Sequence, residues 1–268
     1  MLAHYEAGNP SNPMVAFVHG VCDVGAQWAE LMQHLADRYF LIAFDSLGHG
    51  LSERYTQEDL ASPADAAMAA LAEALEYQEK LHGKRAAVIA HSMGAAISSK
   101  LAVHRPELFT GLILEDPAWL NDQQRAGYLN RSAEQVELSN MWRNDPVENL
   151  RNNTLERPHW SSTSHTAWAY GKTLVDPNLI ATGVVSFPDA WEDVAAAITV
   201  PTVVITSNTD RVLVGEAGAA AIAQLANPVL SVEMIPDAGH GVRLDAPESF
   251  YAIVDRQLQY LFAAQSGR

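Results

Sequence analysis

The sequence predicts an α/β fold: a doubly wound, mostly parallel sheet with a block of helices inserted after the strand that ends near Asp116. Three observations carry this. Short apolar runs alternate with helical patterns along most of the 268 residues. One of those runs, Ala86–Ala90, passes straight into a helical pattern at His91-Ser92-Met93-Gly94. From Ala118 to Ala190 the alternation stops, and Trp119, Trp142, Trp160 and Trp168 appear among short helix-like stretches. The expected organisation is therefore a core in two parts, 1–117 and 191–268, around a helical segment, 118–190.

Taken in order, Met14–Val18 reads as a buried strand running into His19-Gly20-Val21-Cys22-Asp23. A helical pattern follows from about Ala26 to Asp37, with Leu31, Leu35 and Ala36 on one face. The strand Phe40–Phe44 ends in Asp45-Ser46-Leu47-Gly48-His49-Gly50-Leu51-Ser52, a loop in which Asp45 and His49 are expected to shape the backbone. The amphipathic stretch Pro63–Leu81 has proline in its first turn and is closed by Gly83. Gly111–Pro117 is a strand with an acidic end, and Ser92–His104 the helix before it. After the insertion, Thr202–Thr206 and Ser231–Ile235 are strands, and Gly215–Leu225 and Pro247–Phe262 are helices. Residues ahead of Met14 leave room for one edge strand.

These motifs, in this order, resemble the α/β-hydrolases: His-Gly with a tryptophan eight residues on, Asp-x-x-Gly-His-Gly-x-Ser, Ala-His-Ser-Met-Gly, Thr-Asp, and Ala-Gly-His-Gly. Ala90 departs from the usual first glycine of the serine motif. The resemblance implies a nucleophile at Ser92, a base at His240 and an acid at Asp210, since each follows a predicted strand in the family's chain order. Asp116 is the alternative acid and Glu115 a weaker rival. A serine hydroxyl needs an imidazole to take its proton, and the imidazole needs a carboxylate to hold its tautomer. The resemblance also implies backbone donors for an oxyanion at Val21 and Met93, and a lid formed by the inserted helices. Trp119, Trp142 and Trp168 are the expected pocket residues of that lid. His19 is expected to brace its loop.

The implied activity is serine-dependent hydrolysis of a small or medium, largely apolar ester, thioester or lactone, with no cofactor. C–C bond hydrolysis and cofactor-free haloperoxidase or perhydrolase chemistry use the same residues. A ligand-binding receptor on the same fold with little turnover is the reading of another class. Serine at position 92 argues against dehalogenase and epoxide hydrolase relatives, which use aspartate there.

A formal charge of −15 disfavours nucleic acid and anionic lipid as partners. The histidines show no metal-binding spacing, so no metal is expected. No stretch is apolar enough for a membrane span, and no secretory leader is expected from Met1–Glu6, which lacks a basic stretch followed by an apolar run. The lone cysteine, Cys22, admits no internal disulfide, which suits a cytoplasmic monomer or homodimer acting on a small molecule.

Overall fold

A computed structural model of the chain describes residues 2–266. Met1, Gly267 and Arg268, at the ends of the expected first and last segments, lie outside the described residues. Seven strands form one sheet in the order β1-β3-β2-β4-β5-β6-β7. They are β1 (His4–Ala7), β2 (Met14–Val18), β3 (Phe40–Phe44), β4 (Ala86–His91), β5 (Phe109–Glu115), β6 (Thr202–Thr206) and β7 (Leu230–Met234). All neighbours pair in parallel except β1, which runs antiparallel along β3 at the edge.

Strands β2 to β5 are buried along their whole length, which explains why they read as unbroken apolar runs. Their side chains alternate between two cores. Val88 and Ala90 join Leu71 and Leu75 of α2 (Pro63–His82) and Ile97 and Leu101 of α3 (Ser92–His104). Ala87 and Ile89 join Leu31 and Leu35 of α1 (Ala29–Leu35) on the other face. Phe250, Val254 and Leu258 of α12 (Pro247–Ser266) complete that second core. The turn expected to open α1 is instead a 3₁₀ turn, Gly25–Trp28, and it buries Trp28 fully.

Between β5 and β6 every regular element is a helix: α4 (Asp122–Asn130), α5 (Ser132–Asn144), α6 (Pro146–Glu156), α7 (Ser162–Thr173), α8 (Pro177–Thr182) and α9 (Trp191–Ala197). Local chemistry sets several of these starts. Asn121 and Gln124 form a reciprocal capping box on α4, and Ser161 caps α7. Asp145 and Asp176 cap α6 and α8, each followed by a proline whose missing N–H costs nothing in the first turn. α10 (Gly215–Gln224) and α11 (Val242–Asp245) lie on either side of β7 in sequence. No helix of the described residues is long and apolar enough to cross a membrane.

The inserted helices are tied to loops at the C-terminal ends of the strands. Asp176 accepts from Tyr55 N at 3.1 Å, and its own N–H donates to Gly48 O at 2.7 Å. Trp160 Nε1 donates to Asp245 Oδ1 at 2.8 Å, beside the loop after β7. A site at this end of the sheet therefore has a floor of strand ends and a roof of helices.

Candidate active site

β4 ends at His91 and α3 begins at Ser92, with no residue between them. Ser92 takes φ of 52°, a left-handed conformation that costs a non-glycine residue on the order of 1–3 kcal/mol. Packing on both sides holds it there. A Cβ at Gly94 would lie 2.5 Å from His19 O and 2.7 Å from Val18 O, so only glycine lets α3 rest on the end of β2.

His240, in the loop after β7, brings its Nε2 to 2.9 Å from Ser92 Oγ. Its Nδ1 lies 2.5 Å from Asp116 Oδ2. Asp116 is completely buried, and its carboxylate also accepts from Thr206 Oγ1 (2.8 Å), Leu213 N (2.8 Å) and Val214 N (3.1 Å). Surrounded by donors, it can only accept from His240. That places the imidazole proton on Nδ1 and leaves Nε2 to accept from the Ser92 hydroxyl.

The acid expected at Asp210 does not meet the histidine. Asp210 is exposed, and it forms no hydrogen bond or ion pair with the described residues. The loop after β6 instead supports Asp116 and the loop that carries His240. Thr206, Leu213 and Val214 hold the carboxylate of Asp116, and Thr209 Oγ1 donates to Ala238 O at 2.6 Å in the histidine loop. Glu115 is also taken. It pairs with Arg243, accepting from its Nη1 at 2.6 Å and its backbone N at 2.7 Å, while the guanidinium lies 4.1 Å from the Trp28 ring centre.

The loop Gly20–Asp23 lies against this centre. A Cβ at Gly20 would come within 3.1 Å of Ser92 Cβ. His49 Nε2 accepts from Cys22 N at 3.2 Å, and His19 Nε2 accepts from Ser46 N at 2.9 Å. Asp45 accepts from Gly25 N at 2.8 Å and Leu51 N at 3.0 Å. Val21 N–H makes no hydrogen bond with the described residues, and Met93 N–H lies in the first turn of α3, where no intrahelical acceptor exists. Burial holds His19, His49 and His91 below the ordinary histidine range, so they serve as neutral hydrogen-bonding groups. His91 Nε2 donates to His240 O at 3.1 Å and steadies the loop that carries His240. Burial pushes the Cys22 thiol up to about 11, which removes the thiolate that a redox role would need.

A cavity of about 360 Å³ opens over Ser92 and His240. Its lining mixes Tyr128, Trp160 and Trp168 with Asp23, Glu156, Arg157, Lys172 and Arg211. Of the three expected pocket tryptophans, Trp168 alone reaches it. Trp119 is buried, stacked on Trp191 with centroids 5.4 Å apart, and donates to Ser99 Oγ at 3.0 Å. Trp142 packs edge-on against Trp168 at 6.1 Å, and the Lys172 ammonium lies 5.6 Å from the Trp142 ring centre and 5.1 Å from that of Trp168. Lys172 itself donates to Cys22 O at 3.0 Å and pairs with Asp23 at 3.4 Å, joining α7 to the loop beside Ser92. Tyr128 and Lys172 carry no pocket signature in the sequence because helical spacing does not reveal which side of an inserted helix faces a strand end, and Trp160 and Arg211 carry none because they lie in loops without periodicity.

Among curated proteins, an uncharacterized hydrolase, YugF, of Bacillus subtilis is 31% identical over 134 residues, 48% of this chain and 42% of the relative. Lipase LipV of Mycobacterium tuberculosis is 36% identical over 125 residues, 46% of this chain and 44% of the relative. The matched stretches thus span less than half the length of these relatives. The crystal structure of E-2-(acetamidomethylene)succinate hydrolase superposes with a TM-score of 0.76 at 20% identity, covering 95% of this chain and 94% of that one, a likeness of fold. The family model for the alpha/beta hydrolase fold matches residues 13–247, which takes in the serine elbow, the inserted helices and the histidine loop alike, and the chain belongs to that family.

Proposed function

We propose that this chain is a serine hydrolase that cleaves a compact carboxylic ester, thioester or lactone through an acyl-enzyme on Ser92. The observation that carries the reading is the unbroken run of hydrogen bonds from Ser92 Oγ through His240 to Asp116, at 2.9 and 2.5 Å. In this mechanism Ser92 Oγ attacks the substrate carbonyl as its proton passes to His240 Nε2. Asp116 keeps the imidazole in the accepting tautomer and stabilises its cation. The Val21 and Met93 N–H groups receive the oxyanion, a contribution worth about 10²–10³ in turnover per donor in comparable enzymes. His240 then protonates the leaving group, and a water deprotonated by the same imidazole releases the acid.

A volume of about 360 Å³ lies at the small end of ligand sites and favours a short acyl group. The charged groups of its wall favour a polar leaving group, so the apolar character expected of the substrate is retained for the acyl part only. The name of the lipase relative supports ester chemistry. Residues 118–190 act in this reading as a lid whose side chains select the substrate. The test is labelling with a fluorophosphonate together with turnover of p-nitrophenyl acetate. Modification at Ser92 with multiple turnovers is the expected result; modification at another serine, or a single turnover, refutes the reading.

A further inference from the structure

We propose that Tyr128 is a partition that limits the acyl chain this protein accepts, closing the catalytic cavity off from a second, apolar cavity that would take an aliphatic chain. The inference rests on the acyl-transfer reading above. The second cavity measures about 280 Å³ and is lined chiefly by Pro63, Leu120, Leu129, Val184, Val185 and Phe187. Tyr128 is the single residue common to its lining and that of the catalytic cavity. The two spaces lie close together along the chain as well. Ala118 N–H donates to Ser92 O at 3.0 Å, and Leu120, two residues on, already faces the second cavity.

The partition is held rigidly. α4, which carries Tyr128, is closed at its start by the Asn121–Gln124 box, and Gln124 Nε2 donates to Leu213 O at 3.2 Å. At its other end it rests on Gly183, where a Cβ would meet Leu129 Cα at 2.9 Å and Tyr128 O at 3.0 Å. The Arg131 guanidinium lies 5.9 Å from the Tyr128 ring centre. The phenol makes no hydrogen bond with the described residues, so the ring is placed by packing and blocks by its bulk. Burial raises the pKa of the phenol, with Arg131 opposing the rise and Asp116 adding to it. The chemistry of the two cavities differs accordingly: charged groups surround Ser92, and an apolar chamber lies behind the ring. Each methylene moved from water into such a chamber tightens binding by about fourfold.

The experiment is the chain-length profile of kcat/KM over p-nitrophenyl acetate, butyrate, octanoate and decanoate, below their critical micelle concentrations. The unsubstituted protein is expected to favour acetate and butyrate strongly over octanoate. Tyr128→Ala is expected to raise the octanoate-to-acetate ratio by at least ~10-fold, and Tyr128→Leu, which keeps an apolar filling for α4, by a smaller factor in the same direction. Tyr128→Phe should leave the ratio unchanged, and adding Val185→Phe to Tyr128→Ala should cancel the gain by filling the second cavity. Melting curves establish that each variant is folded, and Tyr128→Leu decides the matter if Tyr128→Ala is not. A folded Ala or Leu variant with an unmoved ratio overturns the proposal. So does a shift in Tyr128→Phe equal to that in Tyr128→Ala, a gain that survives Val185→Phe, or an unsubstituted protein that already takes octanoate as well as acetate. Fluorophosphonate labelling separates the two levels of the inference. Without labelling at Ser92 the acyl-transfer reading fails; with it, an unmoved ratio removes the partition alone.

Discussion

Replacing Asp116 by asparagine tests the assignment of the acid, and the structure supplies the magnitude. Asp116 Oδ1 accepts from Thr206 Oγ1 and Val214 N, contacts an amide oxygen can keep. Oδ2 accepts from Leu213 N and His240 Nδ1, and there the substitution puts an NH₂ group. Two donors then face each other at Leu213, leaving a buried N–H without its acceptor at a cost of about 2 kcal/mol. For a chain of this size that corresponds to a fall in Tm of roughly 4–8 °C. The larger effect is on the imidazole. With a donor at Nδ1, His240 relaxes to the tautomer protonated on Nε2, which donates to Ser92 Oγ and can no longer take its proton. The corresponding change in a serine protease lowers kcat about 10⁴-fold, equivalent to ~5.4 kcal/mol of barrier. Asp210→Asn alters an exposed side chain with no partner among the described residues and should change stability by less than ~0.5 kcal/mol and turnover by less than ~2-fold. The assay is kcat for p-nitrophenyl acetate at pH 8, with a melting curve for each variant. An Asp116→Asn enzyme that keeps a tenth or more of its turnover, or an Asp210→Asn enzyme that loses as much, refutes the assignment.

Ser92→Gly should abolish turnover, by at least ~10³-fold, yet raise Tm by about 2–4 °C, because glycine adopts φ of 52° without strain; a lowered Tm would show that the elbow stores none. Stability should fall with acidification below about pH 6.5, since His19, His49 and His91 are held neutral when folded and bind protons once unfolded. Each contributes a slope of up to ~1.4 kcal/mol per pH unit between its unfolded and folded pKa; urea unfolding at pH 7.0 and 5.5 measures it, and equal stabilities would contradict the buried neutral state. Lys172→Met leaves Asp23 as an uncompensated buried charge and should destabilise the protein by about 3 kcal/mol, with Asp23→Asn in the same chain restoring part of the loss. Strictly additive losses in the double variant would mean that the two side chains do not act as a pair.

Much of this protein was legible in the sequence because the relevant information is local. Apolar runs such as Phe40–Phe44 and Ala86–Ala90 are strands because both faces of a parallel sheet exclude water, and that demand is met residue by residue. Ser92 and His240 stood out for a similar reason. Each lies where a strand stops, among glycines or small residues that a sharp turn requires. Which carboxylate meets His240 was not legible. Asp116 and Asp210 both follow strands, and what separates them is distant in the chain: Thr206, Leu213 and Val214 converge on one carboxylate and turn the other to solvent. The inserted helices hid which of their sides face the cavity for a related reason. Their tryptophans were visible, but whether an indole lines a cavity, stacks on Trp191 or flanks the buried ammonium of Lys172 depends on which strand end each helix meets. Backbone periodicity is settled within a few residues of the chain, whereas the partner of a buried charge and the occupant of a cavity wall are chosen only when segments a hundred residues apart close on one another.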